Sequence, residues 1–344
     1  MKAIDCPVPA SDSELVMLAH GGGGTRMHAL LASLVVPGLG DPSLAEGGDA
    51  ALLELEGARL AFTTDSYVVK PLFFPGGDIG TLAVSGTVND LAMVGARPLF
   101  LSCALIAEEG LPMEVLARVL ASMRRTAEVA GVRIVTGDTK VVDRGKGDAL
   151  FVNTAGIGVR THDRVILPRS VREGDVILLS GDLGRHGIAV MAAREDLGFD
   201  PPIESDVACL HRATEALLAH PVHCFRDLTR GGLASALVEI GTVAGLAMAI
   251  DEARIPVSEP VSAACEILGL EPIHVANEGR FVAFVPEADA EAALATLRGV
   301  PGQEHAVAIG RVTSGPAGRV TLRSRIGTER LVVLPSGEQL PRIC

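Results

Sequence analysis

Between Ala51 and Arg160 the chain alternates repeatedly between strand-like and helix-like periodicity, and that alternation restricts it to an α/β fold. The runs ARLAFTTDSYVV, PLFLSCALI, VRIVTGDTKVV and LFVNTAGIGV are β-branched or apolar and end at glycine, proline or charge, as strands do. In LPMEVLARVLASMRRTAEVAG the apolar residues Leu116, Val119, Leu120, Met123 and Ala127 recur on one helical face, Pro112 suits the first turn and Gly131 supplies the stop. GDIGTLAVSGTVNDLAMVGARP also reads as a helix, with enough small residues for its backbone to lie against a sheet or a ligand. A second series starts at VREGDVILLSGDLGRHGIAVMAARE, so a domain boundary is expected near residues 165 to 172. It continues through VHCFRDLTRGGLASALVEIGTVAG, a turn into a helix, and through the strand-like LAMAI, RFVAFV and AVAIGRV. RVTLRS and ERLVVL flank IGT as a hairpin, and the polar end from Pro335 reads as a tether.

A length of 344 residues exceeds what one ordinary core organises, in keeping with two domains, and 48% hydrophobic against 21% charged residues is the balance of an ordered protein. With no tryptophan, only Tyr67 as tyrosine and a net charge of -12, the chain is a poor partner for nucleic acid. A compact triphosphate is still admissible, because magnesium inverts the local sign of an acidic site. The first twenty residues lack the basic start and apolar run of a leader, and no segment has the uncharged length of a membrane helix, so a cytoplasmic location is expected. The six cysteines, Cys6, Cys103, Cys209, Cys224, Cys265 and Cys344, form no CxxC pair and are expected to be reduced. Cys103, Cys209, Cys224 and Cys265 read as small buried hydrophobes. Cys344 ends the sequence, with no later residue to hold it in a core, and is expected to be an accessible thiol. It is no prenylation site, since that signal needs three further residues.

Acidic residues stand at turns beside strands and helices: Asp49 in GGDAALLEL, Asp65 in FTTDSYVV, Asp90 in TVNDLAMVG, Asp138 in VTGDTKVV and Asp227 in FRDLTRGG. Each alone is equally a turn or cap residue, but together they suit magnesium whose shell is completed by nucleotide phosphates. HGGGGTRMHALL puts Gly21 to Gly24 before a helix-like run, where backbone N–H groups could cradle phosphate or simply form a turn. It is not a Walker motif. SGDLGRHG and RDLTRGG are similar turns, with Arg185, His186 and Arg230 available to meet charge. Lys140 in GDTK and Glu278 in NEGR are either surface charges or, respectively, a stabiliser of a transferring phosphoryl group and a proton acceptor.

HGGGG, FTTDSYVV, FFPGGDIGTLAVSGTVNDLAMVGARP, VTGDTKVV, GKGDALFVNTAGIG, GDLGRHGIAVMAARE, RDLTRGGLA, NEGRFVAF and the final PSGEQLPRIC resemble the carbamoyl dehydratases of hydrogenase maturation, in the aminoimidazole ribonucleotide synthetase-like superfamily. The likeness runs from about Asp12 to Cys344, and the PRIC ending is its most specific part. It implies a two-domain α/β fold, each domain a mixed sheet with packed helices: an ATP-binding and dimerisation domain over 1–168, an α/β domain over 169–334, and a mobile tail over 335–344. It also implies that Cys344 receives a carbamoyl group from a HypF-type carbamoyltransferase, that ATP drives dehydration of the thiocarbamate to a thiocyanate, and that cyanide passes to iron held by HypC and HypD. By the same resemblance Asp49, Asp65, Asp90 and Asp227 would hold Mg2+, with Gly22, Gly23, Asp65, Asp90, Asp138, Thr139 and Asn153 around ATP. Lys140 would stabilise charge, Glu278 would remove an amide proton, and His186 and Arg230 would lie near the phosphoryl group. A homodimer is implied.

Thiamine monophosphate kinases and selenophosphate synthetases of the same superfamily are the nearest alternative. The latter carry a lysine soon after an amino-terminal cysteine, whereas Cys6 is followed by PVPASDSE. A non-catalytic scaffold with a docking thiol is the other, and ATP hydrolysis that depends on the carbamoylated chain separates it from an enzyme.

Overall fold

The computed structural model describes residues 16–334 and Ile343. The expectation of a mobile tail over 335–344 therefore concerns, apart from Ile343, residues outside that description, as do Cys6 and Cys344.

After the glycine loop come helices α1 (Thr25–Leu30) and α2 (Val36–Leu39), then strands β1 (Ala51–Leu55), β2 (Ala58–Tyr67), β3 (Phe73–Phe74) and β4 (Gly77–Asp78). Helix α3 (Ile79–Met93), β5 (Arg97–Glu108), α4 (Met113–Ala130), β6 (Arg133–Val142) and β7 (Leu150–Val159) complete the first half. The strands β1-β2-β7-β5-β6 form one sheet in that order, antiparallel except for the parallel pair β5/β6, while β3 and β4 pair with each other. The second half runs β8 (Val176–Leu179), α5 (Arg185–Arg194), α6 (His211–Leu217), β9 (Cys224–Asp227), α7 (Gly232–Ala244), β10 (Ala247–Asp251), α8 (Glu259–Leu268), β11 (Phe281–Val285), α9 (Ala290–Arg298), β12 (Val307–Thr313), β13 (Val320–Arg323) and β14 (Glu329–Val332). Its seven-stranded mixed sheet has the order β14-β13-β10-β12-β8-β11-β9, and β13 and β14 form the expected antiparallel hairpin.

Helix α3 is what joins the halves. Asp78 caps it by accepting the Thr81 N–H at 2.9 Å, and nearly every residue along it is buried. One side packs on Tyr67, Leu101 and Val152 of the first sheet, while Ala92 and Met93 enter a cluster with Leu178, Phe225 and Phe281 of the second. Its small residues permit this enclosure: a Cβ on Gly80 would stand 2.4 Å from the Val119 carbonyl, and one on Gly86 would stand 2.2 Å from the Tyr67 hydroxyl. Helix α4 covers the same sheet with Val119, Met123 and Ala127, and Gly131 ends it in a left-handed turn. Two expectations change here: Pro112 is the N-cap and not a residue of the first turn, and Leu120 faces solvent, because the buried stripe is narrower than the apolar one. Of the cysteines, Cys224 and Cys265 are buried, whereas Cys103 and Cys209 lie half-open at the edge of the first core.

Among the described residues, one face of the first sheet is left uncovered. In a strand successive side chains alternate, so the paired rows Phe62–Ile157–Phe100 and Ser66–Asn153–Ala104–Asp138 share the face opposite α3. On it Phe62, Phe100, Ile106 and Ile157 are between 38% and 43% exposed, and β6 is an open edge whose residues are exposed almost throughout.

Candidate active site between the domains

Four of the sequence-derived aspartates meet where the two sheets flank α3. Asp65 points from β2 toward α3, Asp90 lies on the last turns of α3, Asp227 ends β9 and Asp49 precedes β1. Thr63 Oγ1 stands 2.8 Å from Asp90 Oδ2 and 3.1 Å from the Asp49 carbonyl. The carboxylates feel one another strongly. Burial pushes Asp49 up to about 6, despite Arg226 beside it. Burial first, and then the neighbouring carboxylates, hold Asp90 and Asp227 well above the usual range, and burial raises Asp65. Among the described residues no three acidic, histidine or cysteine side chains converge closely enough to hold a metal by themselves. Magnesium bound with phosphates uses only one or two carboxylates, and clustered buried acids are the donor set a hard cation suits, so these residues fit a magnesium–nucleotide pair.

Glu278 joins the cluster from the loop before β11. It is buried, its Oε1 has no hydrogen-bond partner, and burial followed by Asp227 and Asp65 holds its carboxyl far above the ordinary range while Arg230 pulls it down. Its backbone is fixed: the Asp206 carboxylate accepts the N–H of Glu278 at 3.3 Å and of Gly279 at 3.2 Å. A Cβ at Gly279 would fall 1.9 Å from the Asp206 carbonyl oxygen. Asn277 ties this loop to two others, accepting the Gly184 N–H at 2.7 Å and donating to the Leu228 carbonyl at 3.1 Å.

The glycine loop lies against the RDLTRGG turn. Gly23 has φ +74°, and a Cβ there would be 2.9 Å from the Cβ of Arg230. The Arg230 guanidinium donates to the Gly21 carbonyl at 3.1 Å, and Ser235 Oγ donates to that of Gly23 at 3.3 Å. Gly22 is half-buried in the same loop. Arg185 pairs with Asp182 at 2.9 Å. His186 is fully buried, and burial lowers its pKa. Its Nε2 lies 2.9 Å from the carbonyl of Ile343, so the structure directs it to the chain's end.

Lys140, Asp138 and Asn153 are elsewhere within the single chain. Lys140 Nζ bonds Asp138 Oδ2 at 2.6 Å on the open face of the first sheet, and this bond, with the Thr139 N–H, holds the Asp138 carboxyl below its usual range. Asn153 Nδ2 is 2.9 Å from the Asp65 carbonyl and 3.0 Å from Ser66 Oγ on that face. The sheet thus separates Asp138, Lys140 and Asn153 from the buried acids.

Sequence reasoning missed a half-buried chain of ion pairs. Arg226 of β9 meets Asp49 at 3.0 Å and also pairs with Glu239 of α7, which in turn meets His28 of α1 at 3.0 Å. The one signal was Arg226 beside Asp227 in FRD, which gives no hint of its partners.

Two α/β domains with acids gathered at a helix between them define a class of nucleotide-handling fold. The pattern of AIR synthase related proteins matches it, the N-terminal domain over residues 47–160 and the C-terminal domain over 172–323. Carbamoyl dehydratase HypE of Rhodobacter capsulatus is 52% identical over 96% of this chain and 98% of its own, and that of Escherichia coli K12 is 46% identical over 96% and 99%. The chain belongs to the carbamoyl dehydratase HypE family of hydrogenase maturation enzymes. Among solved structures, HypE in a HypE–HypF complex superimposes with TM-score 0.85 at 45% identity, covering 89% of this chain and 100% of that one. HypE in complex with ATP does so with TM-score 0.81 at 47% identity, covering 96% and 100%. Likeness to thiamine monophosphate kinase of Aquifex aeolicus, at TM-score 0.65 and 18% identity over 85% and 95%, reflects the fold alone.

Proposed function

We propose that this chain uses ATP to dehydrate a carbamoyl group carried as a thiocarbamate on Cys344, giving a thiocyanate. The reading rests on Glu278, a buried carboxyl with an unpartnered oxygen, set between Asp65, Asp227 and Arg230. The HypE–ATP and HypE–HypF complexes support ATP as the substrate and a HypF-type carbamoyltransferase as the loading partner. Attack of the carbamoyl oxygen on the γ-phosphorus releases ADP and turns a poor leaving group into phosphate. Loss of both nitrogen protons and of that phosphate then leaves C≡N on sulfur.

Glu278 is placed to take an amide proton, and its elevated pKa makes its ionised form a strong base. Asp49, Asp65, Asp90 and Asp227 would supply the carboxylates for magnesium, one or two to an ion, and the metal would partly neutralise the phosphate charge. The glycine loop with Gly22 and Gly23 cradles the phosphate side, and Arg230 stabilises charge there. Asp138, Lys140 and Asn153 lie across the sheet from the clustered acids within one chain, so they would serve the nucleotide or carbamoyl group of a second copy packed on the open face, while Thr139 alternates to the other side of β6.

A second copy of the chain covers that face: its exposed phenylalanines and isoleucines and the open edge of β6 favour a homodimer. HypC and HypD receive the cyano group, and the setting is cytoplasmic. Intact-protein mass spectrometry after incubation with a HypF-type partner, carbamoyl phosphate and ATP tests the reading. A carbamoyl adduct that then loses water is expected, with Glu278→Gln arrested at the adduct and Cys344→Ala unmodified. Carbamoylation of the Cys344→Ala chain at another cysteine would overturn it.

A further inference from the structure

The last described residue returns to the interior. The Ile343 side chain is buried in the same apolar cluster as Phe74, Val190 and Ala276, the last of which stands two residues before Glu278 on its loop. The Ile343 carbonyl is 2.9 Å from His186 Nε2. A carbonyl only accepts, so Nε2 carries the hydrogen. Nδ1 lies 2.8 Å from Ser205 Oγ, an oxygen that already accepts the Val207 N–H at 3.1 Å, which leaves its own O–H to donate to Nδ1. The two partners therefore select one neutral tautomer. Phe74 meets the imidazole edge-on, with centroids 5.4 Å apart, and fixes the ring plane. The residue after Ser205 is Asp206, whose carboxylate holds the backbone of Glu278 and Gly279.

We propose that His186 and Ser205 form a positioning pair that docks the chain's end through the Ile343 carbonyl and so presents the neighbouring Cys344 to Glu278. The proposal rests on Cys344 being the carrier. One dipeptide, Ser205–Asp206, then serves both reactants: its first residue orients the imidazole that holds the carrier arm, and its second holds the loop of the base. Among the described residues the grip is one neutral hydrogen bond and one aliphatic side chain, modest enough for the arm to be held for the intramolecular step and still released to the loading partner. A neutral hydrogen bond shifts such an equilibrium about fivefold.

The test uses the full chain with three variants. His186→Gln keeps a donor near the place of Nε2, His186→Leu keeps bulk without a donor, and Ile343→Ala removes the anchor while leaving His186 in place. The first arm is alkylation of Cys344 by iodoacetamide in the unloaded chain, followed by peptide mapping. His186→Leu and Ile343→Ala should react about fivefold faster than the native chain, and His186→Gln within about twofold of it. The second arm is single-turnover loss of water from the carbamoylated chain after ATP is added. Loading by the transferase should be unchanged in all three, while dehydration slows about fivefold or more in His186→Leu and Ile343→Ala and is restored in His186→Gln.

Native rates in both His186→Leu and Ile343→Ala would overturn the proposal, as would equal slowing in His186→Gln and His186→Leu. If His186→Leu does not fold, Ile343→Ala decides. If the native chain never takes up a carbamoyl group, the carrier reading fails, and the alkylation arm still decides whether the pair holds the chain's end.

Discussion

Gly86 offers a sharp test of how α3 is seated. A methyl group there would meet the Tyr67 hydroxyl at 2.2 Å and the ring atoms Cζ and Cε1 at 3.1 and 3.2 Å, in a fully buried contact where neither helix nor sheet has room to retreat. Overpacking of this severity costs about 3 kcal/mol, the upper end of the usual range for added methylenes in a filled core. Tyr67→Phe removes the closest contact and leaves ring distances that a shift of a few tenths of an ångström relieves, so Gly86→Ala in that background should cost only about 1 kcal/mol. Tyr67→Phe by itself should lie within about 0.5 kcal/mol of the native chain, because the buried hydroxyl has no hydrogen-bond partner among the described residues. Urea denaturation of the four proteins at one pH closes the cycle, with an expected coupling of about 2 kcal/mol. Additive single effects would refute the packing argument. Gly86 lies one helical turn before Asp90, so Gly86→Ala should also depress ATP-dependent dehydration beyond its loss of folded protein.

Asp90→Asn should stabilise the chain without divalent cation at pH 8 and converge with the native chain near pH 4. The sign follows from a folded-state pKa raised by burial and by Asp227: the native group's contribution is fully present below its unfolded pKa and lost as pH rises through the folded one. Denaturation midpoints across that range, with and without magnesium, measure it, and a difference that grows toward low pH would contradict it. Arg226→Ala leaves the half-buried Asp49 and Glu239 without their shared cation, with His28 still beside Glu239, and should cost about 3 kcal/mol, the lower end for a broken buried pair, read by the same denaturation. Phe100→Asp sets a charge in the middle of the open face of the first sheet and should yield monomers by sedimentation while each chain stays folded.

What the sequence disclosed follows from the range of the forces concerned. Helix α4 was legible because a 3.6-residue stripe and a glycine stop are local, and β2, β5, β7 and β11 because a short apolar run between turns is local too. Strand β1 was hidden inside GGDAALLEL, where the aspartate drew the reading and the alternating ALLEL did not. The short helices α6, α8 and α9 were not distinguished from their surroundings. The order β1-β2-β7-β5-β6 depends on pairings far apart in sequence, such as Asp65 with Thr154 and Cys103 with Thr154, which no local pattern encodes. The site divides in the same way. Asp49, Asp65, Asp90 and Asp227 were recognisable as acids at element ends, but that Lys140 and Asp138 point away from them is a matter of strand register. The burial of Glu278 and the direction of His186 toward Ile343 depend on loops that meet only in the folded chain.

Residue 279 has room for a hydrogen atom and nothing larger against the carbonyl of residue 206. The location of the adjoining carboxylate is therefore written into main-chain contact as well as into the side chains of Asp206 and Asn277. Drift elsewhere on the surface leaves that setting untouched. A single added carbon at this spot would prise two stretches of peptide apart and carry the proton acceptor with them, so steric exclusion guards its address.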